Sequence, residues 1–255
     1  MPHNHLISSV EKLQADFGLT PVIASEIEFY FHGSEPDEGF WAGLMHACIQ
    51  HDIPILKHDK ERGKAQYEVA FQPSNTLICA DKTRLFTDIA THFSSQNALK
   101  IDFSAKPFAD EPGSGLHIHI HLENSDGKNV YFKNDEVISD ELKFSIGGLL
   151  DQLPASMPIF APHESSYARF TEKSNAPLTV SWGANNRTVA IRLPDSTHDN
   201  KRIEHRVAGA DADPEAVITA ILTGIHHGLS NKICPPPQIY GDASLEMYGL
   251  PRLTG

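Results

Sequence analysis

Three histidines occupy alternate positions in the stretch from Gly113 to His121, which otherwise has the composition of a β-strand. Because successive side chains of a strand point to opposite faces, His117, His119 and His121 share one face. The leucines and isoleucines between them take the other face, where they can be buried. Such a strand could form one wall of a metal or phosphate site, and the glycines before it let a ligand approach the backbone closely. A solvated, histidine-rich strand face explains this stretch equally well.

A pair of glutamates repeats the alternate spacing in a second predicted strand, residues 21–31. Glu26 and Glu28 share one face, while Ile27 and Phe29 point to the core. Two carboxylates side by side repel each other unless a cation lies between them. A hard divalent cation such as Mg²⁺ or Mn²⁺ would relieve that repulsion. A half-exposed edge strand without any ligand would carry the same pattern.

Further carboxylates and arginines are spaced along the chain so that they could face an anionic ligand. Glu61 and Glu68 flank a polar segment, and Glu68 lies in a predicted strand. Glu204 and Arg206 are two residues apart and therefore share a strand face. Arginine is rarely buried without a partner, so arginines beside apolar segments either meet an anionic ligand or pair with the acidic excess. These arginines are Arg169, Arg187, Arg192 and Arg206.

The composition describes an acidic globular protein. The 255 residues include 33 acidic and 21 basic side chains, which give a formal net charge of −12. This balance argues against non-specific nucleic-acid binding and suits a site built from several carboxylates. No run approaches the length of a membrane span, and the N-terminus lacks the features of a signal peptide. Three cysteines without a CxxC pair favour a reducing compartment, so we expect a cytoplasmic protein. From the charge and the apolar runs together, we expect no nucleic-acid and no membrane partner.

The pattern of apolar residues predicts an α+β domain with a largely antiparallel sheet, because its strands do not alternate regularly with helices. No linker divides residues 1–255, so we expect a single domain. A hairpin is predicted around Asn124–Gly127, and Pro154, Pro158 and Pro162 are predicted to interrupt the chain after a helix. The predicted helices are 6–17, 38–51, 76–93, 139–152 and 214–228. The predicted strands are 21–31, 64–72, 99–104, 115–123, 129–133, 178–183, 187–193 and 202–207.

Six motifs in this order resemble the catalytic domain of the glutamine synthetase superfamily, and they extend from about residue 20 to about residue 230. The segments around Trp182-Gly183 and Asn185–Thr188 are closest to members of the γ-glutamylpolyamine synthetase type. The resemblance implies a curved, largely antiparallel sheet backed by helices. The six motifs are Glu26-Ile27-Glu28-Phe29, Glu61 to Glu68, Gly113 to His119, Ser166-Tyr167-Ala168-Arg169, Asn186 to Pro194 and Arg202 to Arg206.

The resemblance implies two divalent ions, Mg²⁺ or Mn²⁺, with ATP as co-substrate. One ion would be held by Glu28, Glu61 and Glu68. The second would be held by Glu26, His117 and Glu204. All six positions carry the ligand type that the family uses, and two hard ions beside the ATP phosphates suit phosphoryl transfer.

The resemblance also implies roles for residues around the ions. His119, His121 and Arg187 would bind the nucleotide, and Arg187, Arg192 and Arg206 would stabilise charge during transfer. Gly113, Arg169 and Asn175 would bind the substrate. The implied reaction joins the γ-carboxylate of glutamate to ammonia or a primary amine through a γ-glutamyl phosphate.

The chain also departs from the family pattern. Asn175 occupies the position of a flap glutamate that helps to bind and deprotonate ammonium, and a neutral amide cannot act as that base. We expect a partial catalytic domain, without the family's N-terminal β-grasp domain and C-terminal helical region. A homo-oligomer or a partner chain would then supply the missing domain.

Two other functions remain open at this point. The chain could be a non-catalytic or split-gene paralogue that binds nucleotide and metal or associates with a full-length relative. A metal-dependent hydrolase built on the histidine strand would use water as its nucleophile and would need no nucleotide.

Overall fold

A computed structural model describes residues 3–134, 137–172 and 176–254, and these ranges contain five α-helices and eleven strands. The helices are α1 (Asn4–Phe17), α2 (Glu38–Gln50), α3 (Thr76–Gln96), α4 (Asp140–Phe160) and α5 (Pro214–Asn231). The strands are β1 (Thr20–His32), β2 (Ile55–Lys60), β3 (Gln66–Phe71), β4 (Ser74–Asn75), β5 (Lys100–Asp102), β6 (Leu116–Glu123), β7 (Phe132–Asn134), β8 (Val137–Ile138), β9 (Trp182–Ala184), β10 (Ile191–Leu193) and β11 (Ile203–His205).

One large sheet organises the domain, with its strands in the order β2-β3-β1-β6-β11-β10-β9. Every pair along this path is antiparallel except β9 and β10, which run parallel. The short strands β4 and β5 pair with the two ends of β1. The predicted α+β class with a largely antiparallel sheet is therefore confirmed.

The strand with the glutamate pair, β1, and the strand with the histidines, β6, are neighbours at the centre of the sheet. In the β1–β6 pair, Glu26 lies opposite His117 and Ala24 lies opposite His119. The apolar residues of both strands face a core that also contains α3 and α5, and Ile27 and Ile118 are almost fully buried there. Because β1 has strands on both sides, the interpretation of Glu26 and Glu28 as part of an edge strand is wrong.

The predicted hairpin between strands 115–123 and 129–133 is wrong beyond its turn. Gly127 has a positive φ of 70°, as the turn requires, but the ladder ends at an isolated bridge between Glu123 and Asn129. The β7 strand instead pairs with β8. The reason is that β6 already pairs with β1 along one edge and with β11 along the other.

The prediction that Pro154 and Pro158 interrupt the chain is also wrong, because α4 continues through both to Phe160. The two prolines lie on the exposed face of the helix, while Leu153 and Met157 are buried on the opposite face. A proline inside a helix removes a hydrogen bond, and burial of this apolar stripe offsets that loss.

The β2 strand was not predicted, because its six residues do not alternate between apolar and polar side chains. Five of them are exposed, and the strand is held by antiparallel pairing with β3. The predicted strand 187–193 is reduced to β10. None of the helices in the described ranges is both long and apolar enough to cross a membrane.

Candidate active site

Side chains from β1, β2, β3, β6, β10 and β11 line one cavity of about 810 Å³ on the face of the sheet away from α3 and α5. Strand alternation selects these side chains, since their neighbours in sequence point into the core. The cavity therefore brings together carboxylates, imidazoles and guanidinium groups from distant parts of the chain. The predicted site residues that line it are Glu26, Glu28, Glu61, Glu68, His117, His119, Arg187, Arg192, Glu204 and Arg206.

Three glutamates form a first group that could hold a cation. Glu28, Glu61 and Glu68 each offer one carboxylate oxygen, and these oxygens lie within 4.8 Å of one another. Glu28 and Glu68 are directly opposite in the β1–β3 ladder, so the strand register places them together. Glu28 is further positioned by the backbone N–H of Gly115, which donates to its Oε2 at 2.6 Å.

A second group adjoins the first and is built around Glu26. His117 Nδ1 lies 3.7 Å from Glu26 Oε2 and 3.8 Å from Glu204 Oε1. Within 4.8 Å, Glu26 also groups with His119 and Glu204, and separately with Glu68 and His117. Although burial opposes its ionisation, the neighbouring His117 and His119 hold the pKa of Glu26 well below its ordinary value.

The donor set fits a pair of hard divalent cations. Carboxylate oxygens, which make up most of this donor set, are the ligands that Mg²⁺ and Mn²⁺ prefer. Within the described ranges, the Nδ1 atom of His117 is buried and has no hydrogen-bond partner. Burial and the charges of Glu26, Glu28 and Glu61 raise the pKa of Glu68 to about 8. A bound cation would relieve this repulsion and would satisfy the histidine.

Two arginines bind the carboxylate group of Glu204. Arg192 donates to Glu204 Oε2 at 2.7 Å, and Arg206 donates to Oε1. Although burial opposes its ionisation, Arg206, two histidines and Arg192 hold the pKa of Glu204 at about 2. Arg192 also donates to Asn185 Oδ1 at 2.8 Å, and Arg187 lines the same cavity. The cavity thus places guanidinium groups beside a cluster of metal-type ligands.

Gly113 and Arg169 are not among the residues that line the cavity. Arg169 is only 2% exposed and donates to the carbonyl oxygens of Val207 and Arg206. A Cβ atom on Gly113 would lie 2.6 Å from Arg169 Cγ, so the arginine requires glycine at this position. In this position Arg169 ties the end of β11 to the start of β6.

His121 does not line this cavity, although it was predicted to be a site residue. His121 faces an adjoining cavity of about 200 Å³, and its Nε2 lies 3.1 Å from Glu123 Oε1. Asn175 lies outside the described residues. His119 lines both cavities, so the smaller one continues directly from the larger one.

The structure adds polar residues that the sequence analysis did not assign to the site. Arg202 Nε donates to His119 Nδ1 at 3.1 Å, and this arginine lines both cavities. Its position two residues before Glu204 was the available signal, since alternate residues of a strand share a face. Lys57 and Asp59 also line the cavity, and they could not be placed because β2 was not predicted.

The C-terminal tail forms one side of the cavity. Asn186 Nδ2 donates to the carbonyl oxygens of Ile239 and Gly241 at 3.2 Å and 2.7 Å. These bonds hold Asp242 and Ser244 against the cavity, which both residues line. The tail is therefore attached next to Arg187 through its sequence neighbour Asn186.

The fold and site together define a domain in which a central antiparallel sheet presents a multi-carboxylate centre beside several arginines. Residues 35–248 match the family model described as glutamine synthetase, catalytic domain, and the chain belongs to this family. It is 34% identical to the gamma-glutamylputrescine synthetase PuuA of Escherichia coli K12, over 92% of this chain and 56% of that protein. It is 32% identical to the glutamine synthetase of Pyrococcus abyssi, over 92% of this chain and 57% of that protein.

Solved structures show the same fold. The chain superposes on the structure titled GmaS/ADP complex-Conformation 1 with a TM-score of 0.87 at 21% identity, covering 98% of this chain and 64% of that one. The chain spans little more than half the length of the curated relatives that it matches.

Proposed function

We propose that this chain carries the catalytic centre for an ATP-dependent ligation that joins the γ-carboxylate of glutamate to ammonia or a primary amine. The observation that supports this most directly is the single cavity in which a three-carboxylate group and a carboxylate–imidazole group adjoin Arg187, Arg192 and Arg206. Family membership and relatives named gamma-glutamylputrescine and gamma-glutamylethanolamide synthetases support the same reaction class.

The proposed reaction has two steps. The γ-carboxylate of glutamate attacks the γ-phosphorus of ATP, ADP leaves, and a γ-glutamyl phosphate forms. The amine then attacks the acyl carbon, phosphate leaves and the amine nitrogen loses a proton, which yields the amide. Arg187, Arg192 and Arg206 bind the phosphate oxygens and stabilise the negative charge that develops on them.

Metal ions would supply charge neutralisation on the phosphates. In our proposal Glu28, Glu61 and Glu68 hold one ion, and Glu26, His117 and Glu204 hold the other. When bound, such ions polarise phosphoryl oxygens as Lewis acids. The residues themselves orient the site: Glu204 holds Arg192 and Arg206 in place, and His119 fixes Glu26 from 3.1 Å.

The remaining predicted roles are assigned by position. His119 and His121 line the smaller cavity, so we propose that the nucleotide extends into it. Gly113 and Arg169 pack against each other without lining the larger cavity, so a direct contact with glutamate requires that the cavity extend to them. We also propose that a second copy of the chain or a partner chain contributes to the site.

A second candidate is a protein that binds nucleotide and metal without turnover. The observation that favours it is the engagement of both Glu204 oxygens by Arg192 and Arg206. In this arrangement neither arginine is free to bind a phosphate through the same nitrogen. A phosphate then has only the remaining N–H groups of these arginines to bind, which leaves fewer donors for the charge that develops during transfer.

The test is ADP release from Mg-ATP and glutamate, first with ammonia and then with methylamine, ethanolamine and putrescine. Amine-dependent ADP release establishes the ligase and identifies its acceptor. Binding of Mg-ATP without release under any of these conditions supports the second candidate. Metal-dependent hydrolysis of a substrate in the absence of any nucleotide would contradict both the ligase and the binding protein, and would favour the hydrolase interpretation.

Replacing Asn175 with glutamate is expected to shift acceptor preference towards ammonia. A carboxylate at this position attracts ammonium and can accept its proton, whereas an amide does neither. The kcat/KM ratio of ammonia to putrescine should rise by about tenfold or more, since a positioned base contributes on the order of 10²–10⁴-fold. Asn175→Gln is the neutral control, and an unchanged ratio in Asn175→Glu would contradict the assigned role.

A further inference from the structure

A lysine on the edge strand β2 lies beside the metal-type carboxylates. Lys57 Nζ is 2.6 Å from Asp59 Oδ2 and 3.8 Å from Glu68 Oε1. Asp59 is paired with Glu68 across the β2–β3 ladder, so the strand register brings all three groups together. Both Lys57 and Asp59 line the same cavity as the carboxylate cluster.

The separation of Lys57 from Glu68 is informative. At 3.8 Å the ammonium group lies beyond hydrogen-bond distance but close enough for strong electrostatic attraction. The shorter contact with Asp59 therefore determines where the ammonium sits. Lys57 is 50% exposed, so its ammonium group can reach Glu68 without unfolding the site once the contact with Asp59 is removed.

Glu68 lies in a buried, negatively charged environment, where a nearby positive charge stabilises its carboxylate. Its side chain is only 10% exposed, and the carboxylates of Glu26, Glu28 and Glu61 surround it. In the part of the chain that the structure describes, Lys57 is the cationic side chain that lies within 4 Å of Glu68. Glu68 also belongs to two of the three candidate ligand groups, so a charge beside it acts on both ion positions.

We propose that Lys57 is a built-in counter-ion of the metal centre, which Asp59 holds at a fixed distance from Glu68. Its charge stabilises the cluster when no cation is bound and lowers the affinity of the cluster for a divalent cation. Asp59 limits this effect, because it keeps the ammonium out of direct contact with Glu68. Lys57 is thus a positioning residue that sets metal affinity, and this role rests on the metal centre of the proposed function.

The test is a titration of the metal-free full chain with Mn²⁺, followed by electron paramagnetic resonance, without ATP or glutamate. Lys57→Met should lower the dissociation constant for Mn²⁺ by about 3- to 10-fold, since it removes a half-exposed repelling charge. Lys57→Arg keeps the charge and should stay within about twofold of the wild type. Asp59→Asn should raise the constant by about threefold or more, because it removes a negative charge and frees the ammonium to approach Glu68.

Lys60→Met is the matched control. Lys60 lies on the same strand with a similar exposure of 53%, and it pairs with Glu35 at 2.6 Å, but it does not line the cavity. The dissociation constant of Lys60→Met for Mn²⁺ should stay within about twofold of the wild-type value. Circular dichroism and thermal unfolding of each metal-free variant establish that the fold is kept.

Three results would overturn the inference. The first is unchanged or weaker Mn²⁺ binding by Lys57→Met. The second is an equal gain in Lys60→Met, which would reveal a general effect of surface charge. The third is tighter binding by Asp59→Asn. If wild-type protein binds no Mn²⁺, the metal centre itself fails and this inference with it, whereas ADP release tests the ligase separately.

Discussion

Replacing Glu68 with glutamine is expected to lower the affinity for Mn²⁺ by ~100-fold or more, since even changes outside the ligand set cost 10–100-fold. Glu68 contributes to two of the three candidate ligand groups, so its substitution removes a ligand from one proposed ion position and a neighbouring negative charge from the other. An amide has the shape of the carboxylate but neither its charge nor its strength as a ligand. Isothermal titration with Mn²⁺ in the absence of nucleotide measures the change. Glu11→Gln, on an exposed position of α1, is the control and should bind Mn²⁺ as the wild type does.

The same substitution is expected to make the metal-free protein more stable at alkaline pH. Burial and neighbouring carboxylates raise the pKa of Glu68 to about 8 in the folded protein, so the folded state holds a proton that the unfolded state has lost. The contribution of Glu68 to stability is therefore present at acidic pH and is lost as the pH rises towards 8. Glu68→Gln removes this dependence, because glutamine does not ionise.

Thermal unfolding of the metal-free protein between pH 6 and pH 8.5 measures this second effect. We expect Glu68→Gln to exceed the wild type by several degrees at pH 8.5 and to match it more closely at pH 6. Saturating Mn²⁺ should stabilise the wild type and leave the variant nearly unchanged. If the melting temperatures of the two proteins change with pH in parallel, then the pKa of Glu68 is not raised in the folded protein.

The second large effect is expected at the contact between α4 and α5. Gly148 lies where an added Cβ atom would be 2.2 Å from the carbonyl oxygen of Gly224 and 2.4 Å from the backbone nitrogen of Gly228. Both obstacles are backbone atoms, so the helices must separate to admit even one methyl group. Gly148→Ala should lower the free energy of unfolding by about 3 kcal/mol or more, at the upper end of overpacking effects.

Urea unfolding with Gly39→Ala as the control measures this effect. Gly39 lies in α2, and the nearest atom to an added Cβ there is the end of the Asp37 side chain at 3.3 Å. Alanine at that position requires only that the Asp37 carboxylate shift by a few tenths of an ångström, so stability should change by no more than about 1 kcal/mol. A Gly148→Ala variant as stable as Gly39→Ala would mean that α4 and α5 are not in close contact.

The alternation of residue types was enough to predict which side chains share a strand face. Alternation predicted that His117 and His119 point together, and that Glu26 and Glu28 do the same; the structure confirms both. This was possible because side-chain direction in a strand follows from two consecutive residues and needs no knowledge of the neighbouring strand. The family resemblance was likewise readable, since its motifs are short segments in fixed order.

Which of these faces meet could not be predicted from the sequence. The opposition of Glu28 to Glu68, and of Glu26 to His117, depends on the register between strands that are far apart in the chain. The edge strand β2, which brings Lys57 to the cluster, has no apolar alternation and exists because β3 offers it a free edge. Strand periodicity assigns each side chain to a face, but long-range pairing decides which charges lie within a few ångströms, and those distances set the electrostatics of the site.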